Sequence, residues 1–458
     1  MFVFYDTETT GTSTRFDQIL QFAAILTDDD LKECDRYQVR CRLLPHIVPS
    51  PSALLANRLT PRLLTDKALL SHYEATPKIL AKLREWSPAI FIGYNSIHFD
   101  EELLRQAFFQ TLHPLYITNT GGNARGDLMR VLYAASFYYP ESVVIPQGGG
   151  GRGQSYKLGD VAAANRYPPG KLHEAMADVE ASIFLARHIK NRAPQVWEAM
   201  RDRAYKEKVI DLITNEKLLS LTDFYFGNPY TWLVTYCGRN PDRDSQVAVF
   251  DLAYDPKNYL ELPVEKLIEV LNKRPKVIRS VRANAQPIFM PADLAPRSIG
   301  ARTLGGDELQ RRVRVIRQNR DFQERVGQAL SGRYPQKEPS PHVEERIYNE
   351  FPSAADLRTI DRFHRRDWSE RPMFAGRLAD ERLKELAERL VYIEHPEVLP
   401  KRDRSRMDGW LQDRIHATVD VPWTTVPKAL RGVADLLRTC AGPDATLLKE
   451  LRVFLEEL

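Results

Sequence analysis

Cysteine is scarce in this sequence of 458 residues, and its distribution excludes several kinds of site. The four cysteines are Cys34, Cys41, Cys237 and Cys440. No two of them have the C-x-x-C spacing of a metal or redox motif, and no histidines accompany them at zinc-ligand intervals. We therefore expect neither a disulfide framework nor a zinc site, but reduced thiols in the cytosol.

The sequence also lacks strong net charge, long apolar runs and a leader segment. The formal net charge is +4, from 65 basic and 61 acidic residues. That bias is too small to indicate nucleic-acid binding, so any basic surface must be concentrated locally. No apolar run approaches membrane-spanning length, and the first strand begins without the basic and apolar regions of a signal peptide. These absences predict a soluble, cytoplasmic protein with no membrane partner.

The length predicts more than one hydrophobic core. Strand and helix signals alternate in the first third of the chain, and the composition shifts near Arg192. Short strand candidates separated by Gly, Pro and Asn follow, and helical periodicity dominates after the Pro-rich stretch RYPQKEPSPH. We predict an α/β domain over 1–192, a β-rich domain over 193–341 and a helical domain over 342–458.

Acidic residues recur at positions where an ordinary core would place apolar ones. In FVFYDTETTG, Asp6 and Glu8 lie two positions apart, so they share one face of the predicted strand. Asp100 follows the apolar strand PAIFIGYNS, at the strand end where α/β sheets bind ligands. His173 and Asp178 open a later helix as HEAMAD. An exposed acid pair at a strand end and a solvated or capping histidine are the simpler interpretations.

Four carboxylates that converge in a fold would repel one another, and burial would raise their pKa values. Bound divalent cations remove both penalties. Oxygen ligands without cysteine favour Mg²⁺, with Mn²⁺ as a substitute. Two such ions activate water and stabilise the leaving oxygen in phosphodiester hydrolysis. His173, with a pKa near neutrality, is then the predicted general base.

Three segments, DTETTG, GYNSIHFDEELLR and HEAMADVEASI, resemble in this order the three motifs of the DEDDh exonucleases. The segments SYKLGDVAAANRYPPGKLHEAMADV, YFGNPYTWLVTY and RIYNEFPSAAD extend the similarity, specifically to the exonuclease I family, over nearly the whole chain. The resemblance implies a ribonuclease H-like α/β domain with a mixed central sheet, an SH3-like accessory domain and a helical C-terminal domain. It also implies Mg²⁺-dependent 3′→5′ degradation of single-stranded DNA to 5′-mononucleotides, in DNA repair and recombination.

By position, the resemblance assigns roles to particular residues. The implied metal ligands are Asp6, Glu8, Asp100 and Asp178, and His173 is the implied base. The residues implied to contact the substrate are Glu8, Lys157, Trp232 and Tyr348. A solvated lysine at a helix start, or an aromatic residue in a core, would serve equally well as a structural residue. Three departures from the family pattern are Gly126, where tryptophan is expected, and Tyr133 and Tyr139, where basic residues can stand.

The predicted partner is single-stranded DNA, bound by a monomer, and the resemblance adds a site for single-strand-binding protein. The basic stretch from Arg311 to Arg320 could follow the phosphates or form a solvated helix face. Three rival functions remain open on the sequence. They are an RNA-trimming or proofreading exonuclease, a catalytically silent strand-binding protein and a phosphoesterase acting on small substrates.

Overall fold

The computed structural model describes residues 1–149, 153–168, 174–296, 304–334 and 338–458. The first part of the chain forms a five-stranded sheet in the order β3-β2-β1-β4-β5. Its strands are β1 (Phe2–Thr9), β2 (Ile19–Thr27), β3 (Glu33–Arg40), β4 (Ile90–Gly93) and β5 (Ala124–Asp127). β1 pairs antiparallel with β2 and parallel with β4. The sheet is therefore mixed, as predicted.

Helices cover both faces of this sheet. They are α1 (Pro51–Asn57), α2 (Pro61–Leu64), α3 (His72–Glu85), α4 (Asp100–Gln110), α5 (Leu128–Tyr138), α6 (Leu158–Ala164), α7 (Ala175–Arg192) and α8 (Pro194–Arg203). Alternation along β1 separates two cores. Phe2 and Phe4 pack in the core that contains α7, whereas Val3 and Tyr5 pack in the core that contains α3 and α4. β1 thus lies between α4 and α7.

The middle part of the chain is built on a second five-stranded sheet, which is antiparallel throughout, in the order β10-β6-β7-β8-β9. Its elements are α9 (Lys206–Asn215), β6 (Leu219–Tyr225), β7 (Asn228–Arg239), β8 (Gln246–Asp251), α10 (Val264–Asn272), β9 (Ile278–Arg282), β10 (Ile288–Pro291), α11 (Gly306–Gln318) and α12 (Arg320–Ser331). The predicted β-rich character of this region is confirmed.

The described C-terminal part is helical, also as predicted. Its helices are α13 (Ala354–Arg365), α14 (Arg371–Ala375), α15 (Glu381–Glu394), α16 (Lys401–His416), α17 (Val426–Leu436) and α18 (Gly442–Glu456). None of the helices in the described ranges is both long and apolar enough to span a bilayer.

The three parts share hydrophobic cores. Ile288 and Met290 of β10 pack in the core under the first sheet. Phe109 at the end of α4 packs with the helices of the C-terminal part. α8 also packs in the first core through Trp197, so that core continues past the predicted boundary after residue 192. The domain boundaries themselves stay a prediction.

Candidate active site

Three of the predicted carboxylates converge at one end of β1. Asp6 and Glu8 project from the β1 face that packs against α7, and Asp178 lies in the first turn of α7. One carboxylate oxygen from each of the three residues lies within 4.8 Å of the other two. The sequence pattern D-x-E therefore has the expected effect, because it puts two acids where the helix brings a third.

Asp100 reaches the same end of the sheet from the opposite face of β1. It follows β4, the parallel neighbour of β1, after a short 3-10 helix at Ser96–His98. Asp100 is buried at the start of α4, where the helix dipole stabilises negative charge. The Thr7 hydroxyl donates a hydrogen bond of 2.6 Å to Oδ1 of Asp100. Thr7 lies between Asp6 and Glu8, so one strand orients all three acids.

Burial and mutual repulsion both act on these carboxylates. Burial raises the pKa of Asp6 well above its ordinary value, and the charges of Asp100, Asp178 and Glu8 add to the rise. Burial likewise raises the pKa of Glu8 to about 8, with Asp178 and Asp100 contributing. Arg40 opposes the rise at Glu8, but its guanidinium pairs with Glu174 at 3.3 Å. Within the described part of the chain, burial and acid–acid repulsion thus outweigh the attraction of Arg40 at Glu8.

The side chains in this cluster fit a hard divalent cation. All of the donor atoms are carboxylate oxygens, which Mg²⁺ and Mn²⁺ prefer and which zinc sites usually replace with sulfur or imidazole. Raised pKa values are the expected signature of converging acids whose negative charge a bound cation neutralises. Asp6, Glu8 and Asp178 would hold the ion, and the Asp100 carboxylate is close enough for its charge to raise the pKa of Asp6.

Two family models match the chain. The Exonuclease model matches residues 3–185, which include all four carboxylates, and the Exonuclease I C-terminal domain model matches residues 341–458. The chain belongs to the exonuclease I family. Exodeoxyribonuclease I of Escherichia coli (strain K12) is 26% identical over 100% of this chain and 98% of its own length. Exodeoxyribonuclease I of Haemophilus influenzae is 26% identical over 78% of each chain.

Solved structures of exonuclease I have the same fold along the full chain. E. coli exonuclease I in complex with a dA16 oligonucleotide superposes with a TM-score of 0.83 at 25% identity, covering 100% of this chain and 99% of that one. Exonuclease I from Methylocaldum szegediense gives a TM-score of 0.83 at 23% identity with the same coverage. The predicted fold class is confirmed, including both accessory parts.

The other predicted site residues that the structure describes lie in different surroundings, outside the acidic cluster. His173 lies outside the described residues, so its role as general base stays a prediction. Lys157 is exposed and immediately precedes α6. Tyr348 is 42% exposed, and its hydroxyl donates a hydrogen bond of 2.8 Å to Glu102 in the first turn of α4. Its ring therefore borders the helix that carries Asp100.

The ring of Trp232 has protein neighbours, so it is not freely available for a base to stack on. The Arg279 guanidinium lies 3.4 Å from the centre of its ring, and the Tyr230 ring lies nearly parallel at 6.5 Å. Trp232 is also half-buried against the core of the second sheet. A base could stack there only by displacing a neighbour, so strand binding by Trp232 stays a prediction.

Two of the departures from the family pattern, Gly126 and Tyr133, lie at the contact with the middle part. A Cβ on Gly126 would lie 3.0 Å from Cγ1 of Ile92 and 3.5 Å from Nε2 of Gln286, so a larger residue would require rearrangement. The Tyr133 ring stacks on Phe224 of β6 at 4.1 Å with an angle of 6°. The Tyr133 ring therefore packs in the contact between the first and middle parts of the chain.

The basic run in α11 and α12 is partly structural. Arg311 and Arg312 both pair with Glu308, and Arg317 donates to the carbonyl oxygen of Ile213 at the end of α9. Only the exposed members, Arg314 and Arg320, are candidates for phosphate contact within this run.

Sequence reasoning missed two residues beside the acids. Thr7 fixes Asp100, as described above, and Glu101 is buried with 1% exposure directly after it. The spacing of Glu101 and Arg105, four residues apart on a predicted helix, was the available signal for an ion pair. It could not show that the pair is buried.

Proposed function

We propose that this protein is a 3′→5′ exodeoxyribonuclease that hydrolyses single-stranded DNA to 5′-mononucleotides, using two divalent ions, with Mg²⁺ as the cofactor. The observation that carries the proposal is the convergence of Asp6, Glu8 and Asp178 within 4.8 Å, with Asp100 close enough for its charge to raise the pKa of Asp6. Membership of the exonuclease I family supports the reaction, and the E. coli relative solved with dA16 supports the substrate.

Each group of this chain has a distinct part in the mechanism. The bound ions, when present, would lower the pKa of water and stabilise charge on the leaving oxygen. Asp6, Glu8, Asp100 and Asp178 would hold the ions, and Thr7 keeps the Asp100 carboxylate oriented through its 2.6 Å hydrogen bond. His173 would accept the proton of the attacking water at an imidazole nitrogen and direct that water at the terminal phosphate. Glu8 would also contact the terminal nucleotide.

Lys157, Tyr348 and Trp232 are the proposed strand contacts outside the cluster, and at Trp232 the base would take the place of a neighbouring side chain. A lysine neutralises a phosphate as a point charge, and each aromatic stack contributes about 1–3 kcal/mol. We further propose that the middle and C-terminal parts retain the strand between cuts, which would make digestion processive. Action as a monomer, a cytoplasmic location, a role in repair and recombination, and a contact with single-strand-binding protein stay predictions.

The decisive experiment is digestion of end-labelled single-stranded and double-stranded DNA and RNA of matched sequence, with Mg²⁺ and with EDTA. We expect Mg²⁺-dependent release of mononucleotides from the 3′ end of single-stranded DNA only. Preference for RNA would favour the trimming alternative, although the match to the exonuclease I C-terminal domain counts against a trimming or proofreading enzyme. Strand binding without hydrolysis would favour a silent binding protein.

Processivity needs its own measurement. Labelled substrate is bound to the enzyme, and Mg²⁺ is then added together with an excess of unlabelled strand as a trap. Complete digestion of the label is expected from a processive enzyme. Release of strands shortened by a few nucleotides would contradict retention by the accessory parts.

A further inference from the structure

Glu101 lies directly after Asp100 in the chain and has four side-chain partners in the described residues. Its carboxylate pairs with Nη2 of Arg105 at 2.8 Å and with Nη1 of Arg125 at 3.3 Å. It also accepts hydrogen bonds from Thr118 Oγ1 at 2.7 Å and from the Tyr5 hydroxyl at 3.3 Å. Glu101 is therefore a fully buried charge with partners on α4, β5 and β1.

The two arginines continue from Glu101 into the accessory parts. Nη2 of Arg125 donates to the carbonyl oxygen of Asn284, in the loop between β9 and β10, at 3.0 Å. Nη1 of Arg105 donates to the Tyr348 hydroxyl of the C-terminal part at 3.4 Å. One buried carboxylate thus joins the first sheet to both accessory parts through two guanidinium groups.

The same network holds the first turn of α4 against β1. Tyr5 and Thr7 project from one face of β1, and they bind Glu101 and Asp100 respectively. Asp6 and Glu8 project from the opposite face and face Asp178. The position of the Asp100 carboxylate relative to the other three acids therefore depends on two neighbouring hydrogen bonds, one of them made by Glu101.

Removing the charge of Glu101 has a predictable local effect. Its two arginines are both buried. Without the carboxylate, two guanidinium groups would face an uncharged acceptor in a low-dielectric interior, where an unpaired charge is strongly unfavourable. The groups can relieve this only by moving, and α4 carries both Arg105 and Asp100.

We propose that Glu101 is a positioning residue for the metal centre. Through Arg105 and Arg125 it fixes the start of α4, and with it the Asp100 carboxylate, relative to Asp6, Glu8 and Asp178. The inference rests on the proposed function, because Asp100 must be a metal ligand for its position to matter.

The test compares Glu101→Gln with Glu344→Gln, since the structure contains a matched pair. Glu344 is also buried with 1% exposure, and it also holds two arginines, Arg389 at 2.9 Å and Arg414 at 2.7 Å. It lies in the 3-10 helix Val343–Arg346, and both of its arginines belong to the C-terminal part. Both changes keep side-chain volume and remove one buried charge, so both should destabilise the fold.

The expected results separate positioning from stability. Glu101→Gln should lower kcat on single-stranded DNA and the affinity for Mn²⁺, measured by electron paramagnetic resonance without substrate, each by about 10- to 100-fold. The KM for the strand should not change. Glu344→Gln should lower the melting temperature in a similar way while the kcat and Mn²⁺ affinity of the folded protein stay at the wild-type values.

Two outcomes would overturn the proposal. One is a folded Glu101→Gln protein with wild-type kcat and wild-type Mn²⁺ affinity, and the other is an equal loss of both in Glu344→Gln. Should Glu101→Gln not fold, Arg125→Met is tested in its place, with the same losses expected and unchanged values again contradicting the proposal. An inactive wild-type protein that still binds Mn²⁺ more tightly than Glu101→Gln would reject the proposed function and keep the positioning role.

Discussion

Buried carboxylates occur in two opposite environments in this molecule. Glu344 lies between Arg389 and Arg414, and although burial tends to raise its pKa, the two guanidinium groups outweigh burial and hold the pKa below its ordinary value. Asp6 and Glu8 lie among other acids, and their pKa values are raised. In the first environment two guanidinium groups of the protein neutralise the carboxylate, whereas the second is the place where we propose that a cation binds. This contrast separates a structural charge from a binding site.

Removing a ligand of the acidic cluster should give the largest effect. Asp178→Asn is expected to abolish Mg²⁺-dependent nucleotide release, because the ions lose a charged ligand while the shape of the site is kept. The affinity for an oligonucleotide in EDTA, measured by fluorescence anisotropy, should change little. Asp435→Asn, an exposed acid on α17, serves as the control. A near-native rate in folded Asp178→Asn protein would refute the metal assignment. The acidic cluster would then no longer differ from Glu344 as a binding site differs from a structural charge.

The next effect concerns the proposed base beside the acids. His173→Ala is expected to lower kcat by about 10²- to 10⁴-fold, because water must then be deprotonated without a positioned acceptor. Mn²⁺ affinity should stay the same, since the imidazole is not a proposed ligand. The matched change His416→Ala, at an exposed histidine at the end of α16, should leave kcat unaltered. Equal rates for the two variants would show that the acids act without a histidine base.

The two environments should also respond oppositely to pH in protein freed of metal by EDTA. The folded pKa of Glu8 is about 8, against an ordinary value of 4.5. The folded state therefore holds a proton that the unfolded state has lost, and the free energy of unfolding should fall by a few kcal/mol as pH rises from about 4.5 to about 8. Glu344, with a lowered pKa, contributes stability that is lost only as pH falls below its ordinary value.

Urea unfolding between about pH 5 and about pH 8 tests this expectation. Asp6→Asn should flatten the decline, because it removes one of the repelling charges, and Mg²⁺ should restore stability at the upper end of the range. A stability that rises with pH across this interval, in EDTA, would mean that the acids are already compensated within the fold.

The sequence was sufficient for the parts of the site that depend on local pattern. The spacing of Asp6 and Glu8 on one strand, and the placement of Asp100 and Asp178 in first helical turns, follow from the periods of strand and helix. The mixed sheet and the three-part order were likewise predicted, and the fold class is confirmed by the family's solved structures.

Contacts between distant segments were not predictable in this way. The partner of Arg125 is the carbonyl oxygen of Asn284, 159 residues away, and no local pattern indicates it. Trp232 looked like a stacking surface because its segment resembles the family, but strand pairing brings Arg279 onto its ring. Both contacts depend on how the second sheet folds and how it packs against the first part of the chain. The periodicity of a single sequence does not indicate either arrangement.

The smallest expected effect concerns a lysine whose proposed charge partner, like that of the acids, comes from outside the protein. Lys157 is exposed at the start of α6, and a phosphate of the bound strand is its proposed partner. Lys157→Gln should weaken oligonucleotide binding in EDTA only modestly and make the dependence of log affinity on log salt shallower by about 0.7, the share of one phosphate contact on a single strand. Lys449→Gln, at an exposed lysine on α18, should leave the slope unchanged. If the salt dependence has the same slope in the two variants, Lys157 is a solvated lysine. Other basic side chains must then neutralise the phosphates of the strand.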